Sequence, residues 1–171
     1  MKKLLFLALL GVSAQASIDT LQYFKADFIQ NIVDDQNKTI TYRGYVQASK
    51  PQYALWEYIS PVDKKVYILP HKVVIVEPEL EQAIVKKIGD NFDFFSLIKH
   101  AKKIDKNHYL ANFKEKNYFI TMKGDTLVSI KYKDDFDNSV SIDFKNAEVN
   151  KKIAGVVFVP QIPEDYDLIR E

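Results

Sequence analysis

From about residue 23 onward, apolar and polar residues alternate with a period of two, and short polar clusters interrupt the alternation at intervals of roughly 8–12 residues. That pattern constrains the chain to a run of half-buried antiparallel strands. Tyr23 to Val33 forms the first arm of a hairpin, Asp34-Asp35-Gln36-Asn37-Lys38 its turn, and Thr39 to Ser49 the answering arm. Lys50-Pro51 breaks the run before Tyr53 to Ile59. Pro61 to Lys64, Pro70-His71-Lys72 and Pro78-Glu79 then punctuate three further short strands ending near Ile88. Later strands are expected at His108–Lys114, Tyr118–Lys123, Thr126–Lys133 and Ser139–Val149, with turns at Glu115-Lys116-Asn117 and Gly124-Asp125. The fold class is mainly β: a strongly curved antiparallel meander closing toward a barrel. Little room for a further strand remains after Asp167.

Two segments carry helical spacing instead. In Ser17 to Phe24, the apolar residues Ile18, Leu21 and Phe24 lie three apart, with Ser17 or Asp19 able to cap. The longer segment runs from Asn91 to Lys103. Asp90 or Asn91 can cap it, Phe92, Phe95, Ile98 and Lys102 follow one side, and Phe94, Leu97 and Ala101 widen the apolar face. Lys99, Lys102 and Lys103 gather at its C-terminal end, where the helix dipole favours cations. A curled sheet needs a cover for its concave face, and this helix is the best candidate in the chain.

The first residues set the compartment. Lys2 and Lys3 precede the apolar run Leu4 to Val12, and Ala14-Gln15-Ala16 gives the small-x-small pattern of a signal-peptidase site. The apolar run falls short of the roughly 20 residues that span a bilayer. Residues 1–16 are therefore expected to be a cleaved signal peptide and residues 17–171 a single domain starting at Ser17. Loss of Lys2 and Lys3 moves the formal charge from +1 to −1, too weak a field to hold nucleic acid. The chain has no cysteine, so disulfides, thiolate catalysis and an N-terminal lipid on a cysteine fall away. The expected product is a soluble, secreted monomer.

Little in the chain suggests catalysis or a cofactor. His71, His100 and His108 have no ligand-like spacing, the five glycines never form a phosphate-cradling loop, and Asp134-Asp135-Phe136-Asp137 reads as an exposed turn. The expectation is no enzyme activity, no catalytic residue, no metal and no cofactor. Aromatic residues stand out instead, with eleven Phe and ten Tyr. Much of this is strand propensity. On the 53–59 strand, Ala54, Trp56 and Tyr58 share one face, opposite Tyr53, Leu55, Glu57 and Ile59. Trp56 reads either as a core residue whose indole N–H finds a carbonyl or as the wall of an apolar ligand cavity.

Four strings in register then add a resemblance. Phe24-Lys25-Ala26-Asp27-Phe28-Ile29-Gln30 resembles the F-x-A-x-F-x-Q opening of the periplasmic outer-membrane lipoprotein carrier family, LolA. Gly44, Lys50-Pro51, Trp56-Glu57-Tyr58 and Pro61 are similar to that family's G…(R/K)P…(R)WE…P block. Glu77-Pro78-Glu79-Leu80-Glu81-Gln82 looks like its D-P-x-L-x-Q turn, and Phe158-Val159-Pro160 with Asp167-Leu168-Ile169 looks like its closing F-x-P…D-V-I.

The resemblance implies an unclosed β-barrel with a helical lid over an apolar cavity. The implied function is to take lipoproteins by their acyl chains from an inner-membrane ABC-type release complex to an outer-membrane receptor. It implies a cavity wall of Phe28, Ala54, Trp56, Tyr58 and Ile75 from the sheet, with Phe92, Phe95 and Ile98 from the lid. Lys50 would latch the lid through its carbonyls. Lys50 stands where the family commonly has arginine, and Leu55 where an arginine usually precedes the tryptophan. A lysine lacks the planar fork of arginine, so the implied latch is looser. The rival readings are a periplasmic lipid-sensing module of the same fold, the cysteine-anchored outer-membrane receptor, and a secreted hydrolase using Asp or Glu.

Overall fold

Each period-two segment pairs with its neighbours in sequence, so the chain builds a single sheet. The computed structural model describes residues 21–87 and 94–171. Six strands come first: β1 (Tyr23–Val33), β2 (Thr39–Ser49), β3 (Tyr53–Ser60), β4 (Lys64–Leu69), β5 (Lys72–Glu77) and β6 (Gln82–Lys87). Helix α1 (Phe94–Lys99) follows. Then come β7 (Lys102–Lys103), β8 (His108–Phe113), β9 (Lys116–Lys123), β10 (Thr126–Lys133), β11 (Ser139–Val149) and β12 (Asp167–Arg170). The twelve strands lie in the order β12-β6-β5-β4-β3-β2-β1-β11-β10-β9-β8-β7. Two antiparallel meanders thus meet where β1 pairs with β11, and β12 and β7 form the two edges.

Turn chemistry fixes the two longest hairpins in the same way. The Asp34 carboxylate accepts the backbone N–H groups of Gln36 (3.0 Å) and Lys38 (2.8 Å), and Asn37 takes the left-handed conformation at φ 62°. One hundred residues on, the Asp134 carboxylate accepts from Phe136 (2.8 Å) and Asn138 (3.0 Å), with Asp137 at φ 62°. Asn and Asp tolerate that conformation better than other non-glycine residues.

The sheet is curled around its own inner face. Trp56 on β3 and Phe144 on β11 lie three strands apart, roughly 14 Å on a flat sheet at about 4.8 Å per strand. Their ring centroids are 6.2 Å apart. Phe24, Phe28, Val46 and Ala54 from one meander share a buried core with Ile120, Leu127, Ile130 and Ile142 from the other. A glycine makes the closest packing possible. A Cβ at Gly44 would sit 2.0 Å from the Glu57 carbonyl oxygen and 2.8 Å from the Phe28 ring.

Among the described residues, the segment after β11 covers one half of the outer face. Leu55, Tyr67, Val74, Val76 and Ala83 point outward from β3–β6 and are buried by Ile153 and Phe158, from the segment that follows β11. The segment then ends as β12, parallel to β6, with Leu168 opposite Ala83.

Four sequence expectations need correction. The helix expected over 91–103 ends at Lys99, where the Ala101 N–H bonds to the Ile98 carbonyl (3.2 Å) and closes the last turn. Lys102 and Lys103 instead pair with Leu110 and Tyr109. Tyr23 and Phe24, expected in a helix with Ser17, belong to β1 and pair with Ser49 and Ala48; residues 17–20 lie outside the described residues. The β8–β9 turn sits at Lys114 and Glu115, both at positive φ, so Lys116 and Asn117 are already strand. A last strand does form after Tyr166, because the edge of β6 offers it a ladder.

Candidate functional site

The concave face of the sheet and α1 enclose an apolar cavity of about 220 Å³. Alternation places its walls. Trp56 and Tyr58 come from β3, Val66 and Ile68 from β4, Ile130 and Tyr132 from β10, and Ile142 from β11. Gln30 on β1 and Tyr118 on β9 complete the sheet side, and Leu97 of α1 closes the top. A larger depression of about 710 Å³ lies on the outside of β9–β11, among Lys116, Lys131, Lys133, Asp134 and Asp137. Charged side chains ring it, whereas none lines the cavity under α1.

The aromatic side chains interlock through edge contacts. Phe28 meets Trp56 and Tyr58, each at 5.1 Å between centroids, and Tyr58 meets Tyr42 at 5.7 Å. Tyr118 lies against Tyr132 at 5.0 Å. Lys64 places its Nζ 4.6 Å from the Tyr58 ring and 5.7 Å from that of Tyr42. One polar contact crosses the wall: the Tyr58 hydroxyl donates to Gln30 Oε1 at 3.1 Å. Burial, reinforced by Tyr132 and Tyr42, pushes the Tyr58 phenol well above its ordinary value. Burial likewise pushes Tyr132 up to about 12, with smaller effects from Tyr118 and Asp134. Both hydroxyls therefore keep their protons at neutral pH.

The structure distributes the residues implied for the site over three positions. Trp56 and Tyr58 line the cavity directly. Phe28 (1% exposed) and Ala54 (2%) lie on the same face but within the core that supports that wall. Ile75 pairs with Val66 on the inward register, half-buried and off the cavity wall. From α1, Phe95 and Ile98 are buried in the inner core, while Leu97 reaches the cavity. Phe92 lies outside the described residues. Lys50 sits in the β2–β3 turn, where its backbone N–H bonds to the Gln22 carbonyl at 2.9 Å and its Nζ lies 5.9 Å from the Phe95 ring centroid.

The sequence reasoning missed the wall contributed by the second meander and the one polar side chain in the first. Tyr118, Ile130, Tyr132 and Ile142 carry a usable signal, since each falls on the inward parity of its strand. Gln30 shares the parity of Phe24 and Phe28, which made it an inward-facing polar residue in plain view. Among the described residues, no group of three or more His, Cys, Asp or Glu is placed to hold a metal ion. No helix among them is long and apolar enough to cross a membrane.

Comparison with known proteins gives a consistent result. Residues 19–161 match the family model described as outer membrane lipoprotein carrier protein LolA. A relative from Wolinella succinogenes, named outer-membrane lipoprotein carrier protein, is 36% identical over 163 residues, covering 94% of each chain. Another of that name from Campylobacter jejuni is 35% identical over 171 residues, 99% of this chain and 100% of the relative. A solved structure of an uncharacterised Thermus thermophilus protein superposes with a TM-score of 0.58 over 92% of this chain and 95% of that one, at 8% identity, a likeness of fold. The family match spans both meanders and the helix between them, so this chain belongs to the LolA family of outer-membrane lipoprotein carriers.

Proposed function

We propose that this chain is a periplasmic carrier that shields the acyl chains of lipoproteins in the cavity between its sheet and α1. The observation that carries the reading is the apolar cavity roofed by Leu97, in a chain whose family and relatives are lipoprotein carriers. Removing a chain of roughly sixteen carbons from water at about 0.8 kcal/mol per CH₂ is worth on the order of 10 kcal/mol. Such a cargo needs cover throughout its transit. Carrier names along nearly the full chain favour this reading over a lipid sensor or a hydrolase.

The cavity of about 220 Å³ lies below the roughly 300–1,000 Å³ of ordinary ligand sites. Acyl chains enter when α1 swings away, and the empty carrier closes on its own apolar face. Lys50 contributes to holding the closed state through its contact with the Phe95 ring. Export uses residues 1–16, cleavage leaves Ser17 at the N-terminus, and the remaining residues 17–171 act as one domain. An inner-membrane ABC-type complex loads the cargo and an outer-membrane receptor removes it.

Native mass spectrometry of protein taken from its own periplasm tests the proposal. The expected spectrum shows a chain beginning at Ser17, part of it carrying a triacylated or diacylated protein. A retained leader would remove the compartment assignment. Complete absence of lipid-bearing adducts, also after co-expression with an abundant lipoprotein, would remove the carrier assignment.

A further inference from the structure

One polar side chain in the cavity keeps hydrogen-bonding capacity that the fold does not use. Gln30 is only 8% exposed and faces inward from the middle of β1, between Tyr42 on β2 and Ile142 on β11. Its amide has four hydrogen-bonding positions. The structure uses one, the Oε1 that accepts from Tyr58. The Gln30 Nε2 group has no hydrogen-bond partner among the described residues, and neither has the Tyr132 hydroxyl across the cavity. Both residues line the cavity, and neither group belongs to the fully enclosed polar atoms that lack a partner. Each therefore keeps accessible surface where a bound group can reach it.

We infer that Gln30 and Tyr132 form a polar collar that donates hydrogen bonds to the ester or amide carbonyls joining acyl chains to the head of the cargo. The inference rests on the carrier reading and refines it: the cavity reads the acyl linkage as well as the chain. The donors match a neutral carbonyl. Gln30 Nε2 supplies two hydrogens, and the Tyr132 hydroxyl supplies a third. Tyr58 spends its hydrogen on Gln30 Oε1, which leaves Nε2 as the unused end of the amide. The cavity wall contains no cation, and the nearby Lys64 lies over the faces of Tyr58 and Tyr42. A neutral acyl linkage therefore suits the collar better than a free carboxylate.

The test compares two synthetic probes, a cysteine peptide bearing a dipalmitoylglyceryl group and its dihexadecyl ether analogue, which lacks the two carbonyl oxygens. Displacement of a lipid-shaped fluorophore gives both affinities. The wild type is expected to prefer the ester probe about tenfold, and Gln30→Met to bring the ratio close to one. Tyr132→Phe, which keeps the ring, is the second variant in case Gln30→Met folds poorly, and it should lower the ratio at least threefold. General structural damage weakens both probes together, so the ratio isolates the collar. Methyl palmitate should also outcompete palmitate. An ester-to-ether ratio near one in the wild type, an unchanged ratio in both variants, or tighter binding of palmitate would overturn the collar while leaving the carrier intact. Failure of the wild type to bind either peptide would overturn the carrier reading itself.

Discussion

Weakening the seat of α1 should make this protein less stable and a better binder at the same time. The helix spans six residues, far below the length at which an isolated helix holds together in water. It stays in place through Phe95 (4% exposed), Leu97 (8%) and Ile98 (1%). At about 1.5–3 kcal/mol per buried side chain, the three together hold the helix down by roughly 5–9 kcal/mol. Leu97 reaches the cavity and would touch cargo, whereas Ile98 packs into the core beside it.

Ile98→Ala therefore removes contacts that matter in the closed state and little that matters in the loaded one. A buried Ile→Ala change costs about 2–5 kcal/mol. If loading requires α1 to leave, the cost of opening falls by that amount, and apparent affinity rises because the competent fraction rises. Even the lower value of about 2 kcal/mol corresponds to a roughly thirtyfold gain. Urea unfolding reports the loss of stability, and displacement of a lipid-shaped fluorophore by a lipopeptide reports the gain. Stability that falls while affinity stays level or drops would show that α1 is not displaced on loading.

Gly44→Ala should destabilise by about 3 kcal/mol or more in urea unfolding, because its Cβ would strike the Glu57 carbonyl at 2.0 Å within a paired strand; a loss under about 1 kcal/mol would refute the packing argument. Trp56, set among Phe28 and Phe144, should emit as a shielded indole and shift on lipopeptide addition, whereas solvated and unchanging emission would take it off the wall. The Asp105 carboxyl is held below its ordinary value of 3.8, first by the Asn107 backbone N–H and then by the His108 ring. Its contribution is present above pH 3.8 and fades as pH falls through the depressed value. Protection of the Asn107 and His108 amides, relative to their intrinsic exchange rates, should fall over that acid range in the wild type and stay level in Asp105→Asn.

The strands that could be read from the sequence are those in which pattern and turn chemistry agree. β1, β2, β10 and β11 begin and end where alternation and the Asp34 and Asp134 clusters place them. The helix was too long in the sequence reading because Lys99 to Lys103 has good helical propensity and only Ala101 for apolar spacing. The open edge of β8 captures Lys102 and Lys103, and tertiary pairing overrides a weak local preference. β12 was invisible for the opposite reason. Its four residues are all exposed, and its only determinant is a parallel ladder with β6, more than eighty residues away in sequence. The cavity divides in the same manner. Trp56 and Tyr58 follow from one strand's alternation and the family pattern, whereas Tyr118, Ile130 and Tyr132 join them only because the sheet curls, and curl belongs to no single segment.

Magnitudes also decide what keeps the empty carrier shut. A cation near an aromatic face is worth about 0.5–1 kcal/mol at exposed sites, and Lys50 lies at 5.9 Å from the Phe95 centroid, close to the limit of that interaction. The burial of Phe95, Leu97 and Ile98 outweighs this contact several times over. Apolar area thus contributes more to seating α1 than this one contact does. The unclosed sheet completes the device. With β12 and β7 unpaired to each other, the two meanders can change curvature around the β1–β11 seam while every ladder stays intact. A sealed barrel would have to break hydrogen bonds to admit the same volume. An open sheet can therefore widen from about 220 Å³ without giving up any strand pairing.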